Sequence, residues 1–332
     1  MFACAARPKR PGSRLRITSG AGSNLVRTSF YLSPPAPIHL IMTSESTAQI
    51  LALITSVFYA SALVSARAGM RYSTPTTVTL VSIVMQNVIL WTAVFVTGAV
   101  HAVPLSGVLL FTLVGIFQLG VRLFAYTGVE KIGASRSSAL QSVSPLFSAT
   151  IAVLVLGEQT STLIILGTLL VVLGIVLVSW KPEREIASFR RWHLLLPIGA
   201  AFLTGMNHPI RRYVLTMANE PLFFSALMGL VSFAGFLIYL AVSPRSQRLV
   251  WNRQAIWPFL TTGLSETFSI LCIITAISLG RVVIVAPIAA SYPVWSLVFA
   301  ALFLRDVEAV NWKLVVGILS VVAGNFAIHL GR

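Results

Sequence analysis

The chain has 332 residues, of which 56% are apolar and only 10% are charged, whereas about a quarter of the residues in soluble globular proteins are charged. This composition is typical of a polytopic membrane protein. The net charge of +15 does not indicate a nucleic-acid partner, because the basic residues lie singly or in pairs between apolar runs. The two cysteines and five histidines show no metal-ligand spacing, so we expect neither a metal nor a cofactor.

The first 41 residues differ from the rest, since they contain six Lys or Arg residues, no acid, and frequent Pro, Ser and Gly. Such a segment is typical of a targeting peptide, of a disordered tail, or of upstream sequence that precedes a start at Met42. We favour the last interpretation, because "MTSESTAQILAL" would make a natural beginning. None of the three predicts a fold for residues 1–41.

Ten continuous apolar runs follow the tail. A bilayer core of about 30 Å needs about 20 residues of helix, and backbone groups in lipid must be satisfied within the protein, so each run predicts a spanning helix. A basic segment at the middle of the chain, 181–192, is predicted to be a linker between halves. The predicted spans are 48–66, 76–98, 105–128, 134–156, 160–180, 193–216, 222–242, 255–279, 282–304 and 311–330.

The two halves share ordered landmarks, which indicates an internal repeat. Pro75 matches Pro221 at an offset of 146 residues, and Glu158 matches Glu308 at an offset of 150. Between and beyond them lie four further matches: Gly133 with Gly280, Pro145 with Pro293, Gly167 with Gly317, and Gly174 with Gly324. Five helices per repeat is an odd number, so the second copy enters the membrane from the opposite side. This inverted arrangement is typical of secondary transporters, whose site lies between the repeats.

The stretch "GASRSSALQSVSPLFSATIAVLVLGEQTSTLIILGTLLVVLGIVLV" (133–178) resembles the signature of EamA-type transporters of the drug/metabolite transporter superfamily. The copy "GRVVIVAPIAASYPVWSLVFAALFLRDVEAVNWKLVVGILSVVAG" (280–324) repeats it, with two extra residues before the acid in "FLRDVE". The resemblance implies an all-α fold of ten helices in two five-helix repeats, at 42–180 and 193–332. It also implies export or exchange of a small metabolite, without identifying the substrate.

Two charges fall deep inside predicted spans, and by the repeat they lie on equivalent helices. Arg122 is in the third span, one turn from Tyr126, and Glu266 is the only one of nine acids that lies deep in a span. A charge at a helix centre costs about 2.5–3.5 kcal/mol in lipid, so we expect both to face a central cavity and to compensate each other. Carboxyl groups in poorly hydrated sites can titrate near neutral pH, which makes Glu266 a candidate for proton coupling. A fixed, structural ion pair is the alternative.

The segment "TGMNHPIRRY" (204–213) concentrates polar groups on the sixth span. Pro209 lacks an amide donor and is expected to kink the helix. Asn207 lies four residues before Arg211, and His208 four after Thr204, so these side chains could meet an anionic part of a substrate. Alternatively, Arg211 and its neighbour Arg212 extend to the membrane interface, or one arginine does each.

The fourth span carries a polar stripe. Ser137, Gln141, Ser144 and Ser148 share one helix face, and Pro145 frees a backbone acceptor near mid-span. In the second copy Ala289, Tyr292 and Ser296 take the positions of Gln141, Ser144 and Ser148, and Pro293 repeats the kink. We interpret these two faces as opposite walls of a binding cavity; packing of helices through small serines is the alternative.

Two other groups of residues are interpreted as structural. Gln86 and Asn87 in the second span are expected to form hydrogen bonds between helices. The pairs Gly167–Gly174 and Gly317–Gly324 each place two glycines seven residues apart on one face, which predicts close helix packing.

The sequence contains no GxSxG, P-loop or HExxH motif, so we predict a transporter that is not an enzyme. It would move an amino acid, drug or related solute by alternating access, as a monomer or homodimer in a bacterial inner membrane or plasma membrane. The alternatives are a non-transporting membrane subunit, a receptor-like protein, or a flippase for lipid-linked substrates. Orientation stays open, because basic residues predominate in the odd-numbered connections, which conflicts with the cytoplasmic termini that the resemblance implies.

Overall fold

The computed structural model describes residues 38–98, 103–132, 137, 140–141, 143–179, 191–242, 249–303 and 312–331. Residues 1–37 of the predicted tail, residues 181–190 of the predicted linker, and the landmarks Gly133 and Glu308 lie outside these ranges. The first helix begins at Ile38, so the last four residues of the predicted tail belong to it.

The described residues form eleven α-helices and one short 3-10 helix, Arg191–Leu194, with no strand. The α-helices are α1 (Ile38–Met70), α2 (Pro75–Thr97), α3 (Leu105–Ile132), α4 (Ser144–Leu156), α5 (Thr162–Ser179), α6 (Leu195–Met217), α7 (Pro221–Val242), α8 (Arg253–Leu279), α9 (Val282–Ala289), α10 (Tyr292–Phe303) and α11 (Trp312–Leu330).

Nine segments of the described chain have the apolar character of membrane helices. Helices α1, α2, α3, α7 and α8 are each long and apolar enough to cross a bilayer, and the segments of α4, α5, α9–α10 and α11 are apolar but shorter. Helix α6 falls in neither group, because it carries the polar segment 204–213. With α6, these segments give the ten predicted spans of an all-α, multi-pass membrane protein, and the predicted fold class is confirmed.

The packing of the helices follows the repeat. Helix α1 packs on α8 as its counterpart α6 packs on α3, and α2 packs on α8 as α7 packs on α3. Helix α1 also contacts α9 and α10, just as α6 contacts α4. Contacts between the repeats therefore come in matched pairs, as a twofold relation between two five-helix units requires.

Helices α5 and α11 form what we call the glycine seam, defined by Gly167, Gly174, Gly317 and Gly324. A Cβ atom at Gly167 would lie 2.7 Å from the carbonyl oxygen of Gly324, and one at Gly174 would lie 2.6 Å from that of Gly317. The earlier residue of one helix meets the later residue of the other, so the helices run antiparallel, as inverted copies must. The predicted close packing through these glycines is confirmed.

The helices that contain Pro145 and Pro293 are interrupted, which is a larger change than the predicted kink. Helix α4 begins at Ser144, with Pro145 in its first turn. In the second repeat α9 ends at Ala289, a turn follows, and α10 begins at Tyr292. Proline lacks an amide hydrogen and is therefore accommodated in the first turn of a helix. Pro209, by contrast, lies inside α6, which continues through it.

Polar side chains fix the ends of α8 and α9 across the repeat boundary. The carboxylate of Glu158 accepts from the backbone N–H groups of Val282 and Val283, both at 3.0 Å, and so satisfies free donors in the first turn of α9. Arg281 forms an ion pair with Glu45 of α1, with 2.9 Å between Nε and Oε1. Arg212 donates to the carbonyls of Ile277 and Ser278 at the end of α8, where a positive charge is favourable.

Candidate functional site

A cavity of about 110 Å³ lies where the two interrupted segments meet helices of both repeats. It is smaller than the roughly 300–1,000 Å³ of sites for drug-sized ligands. Its walls come from α1, α3, α4, α6, α8, α9 and α10, together with Gln141. The polar residues that line it are Thr55, Tyr59, Gln118, Gln141, Ser144, Thr204, His208, Arg211, Ser269 and Tyr292.

Arg211 is the one formally charged residue among those that line the cavity. Its side chain is buried, with only 3% of the residue exposed. Nη2 donates to Oε1 of Gln118 at 2.9 Å and approaches Sδ of Met228 at 3.2 Å. Nε has no hydrogen-bond partner within the described part of the chain. The arginine is thus held by a neutral amide and a thioether, and its charge is not balanced by a described carboxylate.

The two adjacent arginines of α6 have different environments. Arg211 lines the cavity, whereas Arg212 is bound to the carbonyl end of α8. His208 and Thr204 lie on the cavity side with Arg211, and Nδ1 of His208 is buried without a partner among the described residues. Of the two arginines, therefore, only Arg211 reaches the cavity, and Arg212 binds backbone carbonyls of α8 instead.

The interrupted segments place Gln141, Ser144 and Tyr292 at the cavity. Nε2 of Gln141 donates to Oγ of Ser137 at 3.0 Å, which joins two members of the predicted stripe. The ring of Tyr292 meets that of Tyr59 edge-on, with 4.8 Å between the ring centroids. Side chains from the first repeat and from the second therefore line one space.

Arg122 and Glu266 form a buried ion pair beside this cavity rather than in its wall. Nε of Arg122 lies 2.8 Å from Oε1 of Glu266, although Nε–H is not directed at that oxygen. Nη2 donates to Oε1 of Gln86 at 2.8 Å. The predicted compensation of the two charges is present, but neither residue lines the cavity as expected. Tyr59, which does line it, interacts electrostatically with both charges.

Four other residues predicted for the site lie away from the cavity lining. Tyr126 packs in an apolar cluster with Val78 and Phe259, and Ser148 lies at the contact of α4 with α6, beside Gly205. Asn207 is buried and Ser296 partly buried, and the oxygen of each side chain has no partner among the described residues. Helical spacing alone did not separate these residues from those that reach the cavity.

Several lining residues were not predicted. Thr55 and Tyr59 belong to α1, and Ser269 to α8; only the polar character of these side chains within apolar runs could have indicated them. Gln118 lies one turn before Arg122 on α3, yet it accepts from Arg211 of another helix. Each buried arginine thus donates to a different glutamine: Arg122 to Gln86 and Arg211 to Gln118.

Asn87 has a structural role, as predicted. Its Nδ2 donates to the carbonyl of Gly229 at 3.0 Å and thereby joins α2 to α7. No group of three or more His, Cys, Asp or Glu side chains that could hold a metal ion occurs among the residues that the structure describes.

Comparison with known proteins supports a specific family. The family model "EamA-like transporter family" matches residues 46–180 and again residues 191–330, one match for each repeat. One solved crystal structure, at 16% sequence identity, has a TM-score of 0.71 and covers 86% of this chain and 97% of its own; this likeness shows the fold alone. No curated protein matches the chain. Because the family model matches both halves, the chain belongs to the EamA-like transporter family.

Proposed function

We propose that this protein is a secondary transporter that moves a small solute across the membrane by alternating access, with the central cavity as the transport site. The observation that carries this proposal is the position of the cavity, between two inverted repeats and at the interruptions of both equivalent helices. Interrupted helices expose backbone groups that can bind a polar solute in the membrane. Membership of the family supports transport, and the cavity indicates where the solute would bind.

The chemistry of the walls supports a small, polar solute. Gln141 and Ser144 offer donors and acceptors on one side, and Tyr292 offers a ring and a hydroxyl on the other. A volume of about 110 Å³ suits a metabolite of a few heavy atoms better than a large drug. We place the protein in a bacterial inner membrane or a plasma membrane.

The proposal extends to proton coupling through Glu266. To take up a proton, the carboxyl group would have to leave its ion pair with Arg122, and Gln86 would retain the arginine. Tyr59 interacts with this pair and also lines the cavity. A rearrangement of the pair would therefore change the surroundings of Tyr59 and, through it, the contacts of the bound solute. The fixed ion pair is the competing role, and the 2.8 Å contact supports it.

A metabolite comparison between cells that overproduce the chain and cells that lack it would identify solutes, and uptake into proteoliposomes would test them. We expect solute-dependent flux that falls at least about tenfold in Gln141→Ala and Tyr292→Ala, since each substitution removes polar contacts to the solute. Matched controls on α4 and α10 are Leu154→Ala and Leu302→Ala, which are 78% and 68% exposed toward the surroundings of the bundle. Absence of flux for every identified solute would contradict the proposal that the protein is a transporter. Unchanged flux in both site variants would show that the cavity is not the transport site.

The same vesicles test proton coupling when flux is measured at several pH values. Glu266→Gln should flatten the pH dependence, and the double variant Arg122→Gln/Glu266→Gln should do the same without leaving an unbalanced charge. If the double variant transports with the pH dependence of the wild type, Glu266 does not couple protons.

A further inference from the structure

The formal charge of the cavity can be assigned from the residues that line it and from the partners of three acids in the described part of the chain. Glu45 pairs with Arg281, Glu158 binds the first turn of α9, and Glu266 pairs with Arg122. The residues that line the cavity include no Asp or Glu. A single arginine, Arg211, therefore gives the cavity its formal charge.

A guanidinium group that is buried without a counter-charge is costly, because burial removes its hydration. Only 3% of Arg211 is exposed, and among the residues that the structure describes its hydrogen-bond partners are Gln118 and Met228. Its Nε–H has no described partner. Arg122 also has open donors, but it is paired with Glu266 and lies outside the cavity wall. The open donor of Arg211 belongs to a residue that lines the cavity and has no described carboxylate partner, and buried donors are normally satisfied, so it points to a ligand that completes the set.

The helix interruption in the second repeat does not change the sign of this site. Helix α9 brings its carbonyl end to the cavity at Ala289, and α10 brings its amide end at Tyr292. The dipoles of these two ends oppose each other, so the turn between them offers both acceptors and donors with little net charge. The positive charge of Arg211 remains and determines which solutes are favoured.

We infer that the cavity binds a small solute through one carboxylate, which pairs with the guanidinium of Arg211. This inference rests on the proposed function and names the class of solute. The planar fork of arginine matches the two oxygens of a carboxylate. Nε–H is the open donor, and Nη2 supplies the second donor when the carboxylate replaces its weak contact with Sδ of Met228. One uncompensated positive charge matches a monoanion better than a doubly charged phosphate ester. Gln118 positions the guanidinium, and His208 offers a further polar contact through its open Nδ1.

The test uses the purified full chain in lipid nanodiscs and measures ligand-induced shifts of the thermal unfolding midpoint. The probes are the monoanions lactate and pyruvate and the zwitterions alanine and leucine, each compared with its primary amide, together with succinate and inorganic phosphate, which carry up to two negative charges near neutral pH. We expect at least one monocarboxylate to raise the midpoint while its amide does not. In Arg211→Gln the apparent affinity should fall by roughly tenfold or more, because a charge-assisted pair is lost.

Two further variants keep the outcome interpretable. Arg211→Lys retains the charge but not the planar fork, so we expect an affinity for the carboxylate between those of the wild type and Arg211→Gln. This variant replaces Arg211→Gln in the test if Arg211→Gln does not fold. Arg212→Gln removes the adjacent arginine, which is bound to α8 and not to the cavity, so it should respond to the carboxylate as the wild type does.

Shifts that are equal for acids and amides, a preference for phosphate, or no shift with any probe would overturn the inference. Unchanged affinity in both Arg211 variants would also overturn it. These results differ from failure of the proposed function, which is measured by flux: vesicles that transport a neutral or cationic solute would retain transport and exclude the carboxylate. Carboxylate binding without flux would support the inference about the ligand and contradict the proposed transport.

Discussion

The glycine seam and the central cavity both lie between the repeats, but they use the repeat in opposite ways. In the seam, Gly167 and Gly174 of α5 meet Gly324 and Gly317 of α11, so equivalent positions carry the same residue. Around the cavity, equivalent positions differ. Gln141 corresponds to Ala289 and Ser144 to Tyr292, while Arg211, at the offset of 146 that aligns Pro75 with Pro221, corresponds to Ser65.

This difference separates what the fold requires from what a solute requires. Two antiparallel helices in close contact need small residues on both sides, so the two copies must agree. A solute that is not itself symmetric presents different groups to the two walls, so the copies that bind it differ. Loss of identity between otherwise matched repeats therefore marks candidate binding residues without any knowledge of the solute.

The largest effect on stability is expected at the ion pair of Arg122 with Glu266, which lies outside the cavity wall. Glu266→Met would leave Arg122 buried with only Gln86 as partner, and loss of one member of a buried ion pair costs about 3–5 kcal/mol. The double variant Arg122→Met/Glu266→Met should recover most of that loss, since apolar replacements of both partners are often neutral. Thermal unfolding in detergent, followed by size-exclusion chromatography, measures both. A double variant as unstable as the single one would mean that the pair does more than balance charge.

An intermediate effect is expected in the seam, where symmetry is kept for packing. Gly174→Ala places a Cβ atom 2.6 Å from the carbonyl oxygen of Gly317, and such overpacking costs about 1–3 kcal/mol. The matched control is Gly235→Ala, whose Cβ atom would meet only a terminal methyl group of Leu119 at 3.0 Å. Unfolding midpoints should fall for the first variant and not for the second. Equal midpoints would show that α5 and α11 separate without cost.

Much of the fold followed from the sequence because its causes are local. Apolar runs of the length of a bilayer gave the spans, and the landmarks Pro75 and Pro221 gave the repeat. The interruptions were underestimated, because Pro145 and Pro293 show that an amide is missing but not whether the chain bends or starts a new helix. The length of the first helix was also underestimated, because the apolar run marks only 48–66, whereas the helix spans Ile38–Met70.

The candidate site was predicted less completely, because helix spacing specifies a face but not the helix that packs against it. Arg211 and His208 were found from their charge and polarity within α6. Tyr59 was missed, since nothing in α1 shows that it lies against Tyr292, whose ring centroid is 4.8 Å away. Arg122 was expected in the cavity wall, yet α8 supplies Glu266 at the right depth to pair with it outside the wall.

The smallest effect on the free energy of unfolding is expected for a substitution at Arg211, and a small effect would indicate that this residue serves the solute rather than the fold. Arg211→Met removes the hydrogen bond to Gln118, worth about 1 kcal/mol, but it also removes a buried charge that no described carboxylate balances. These terms oppose each other, so we expect the free energy of unfolding without solute to change by less than about 1 kcal/mol. Arg122→Met, by contrast, leaves Glu266 unpaired and should lose about 3–5 kcal/mol. The two variants differ in position but not in chemistry, so each serves as the control for the other in one thermal-unfolding experiment. If Arg211→Met were as unstable as Arg122→Met, then Arg211 would stabilise the fold, and the difference between the two copies at this position would no longer mark a solute site.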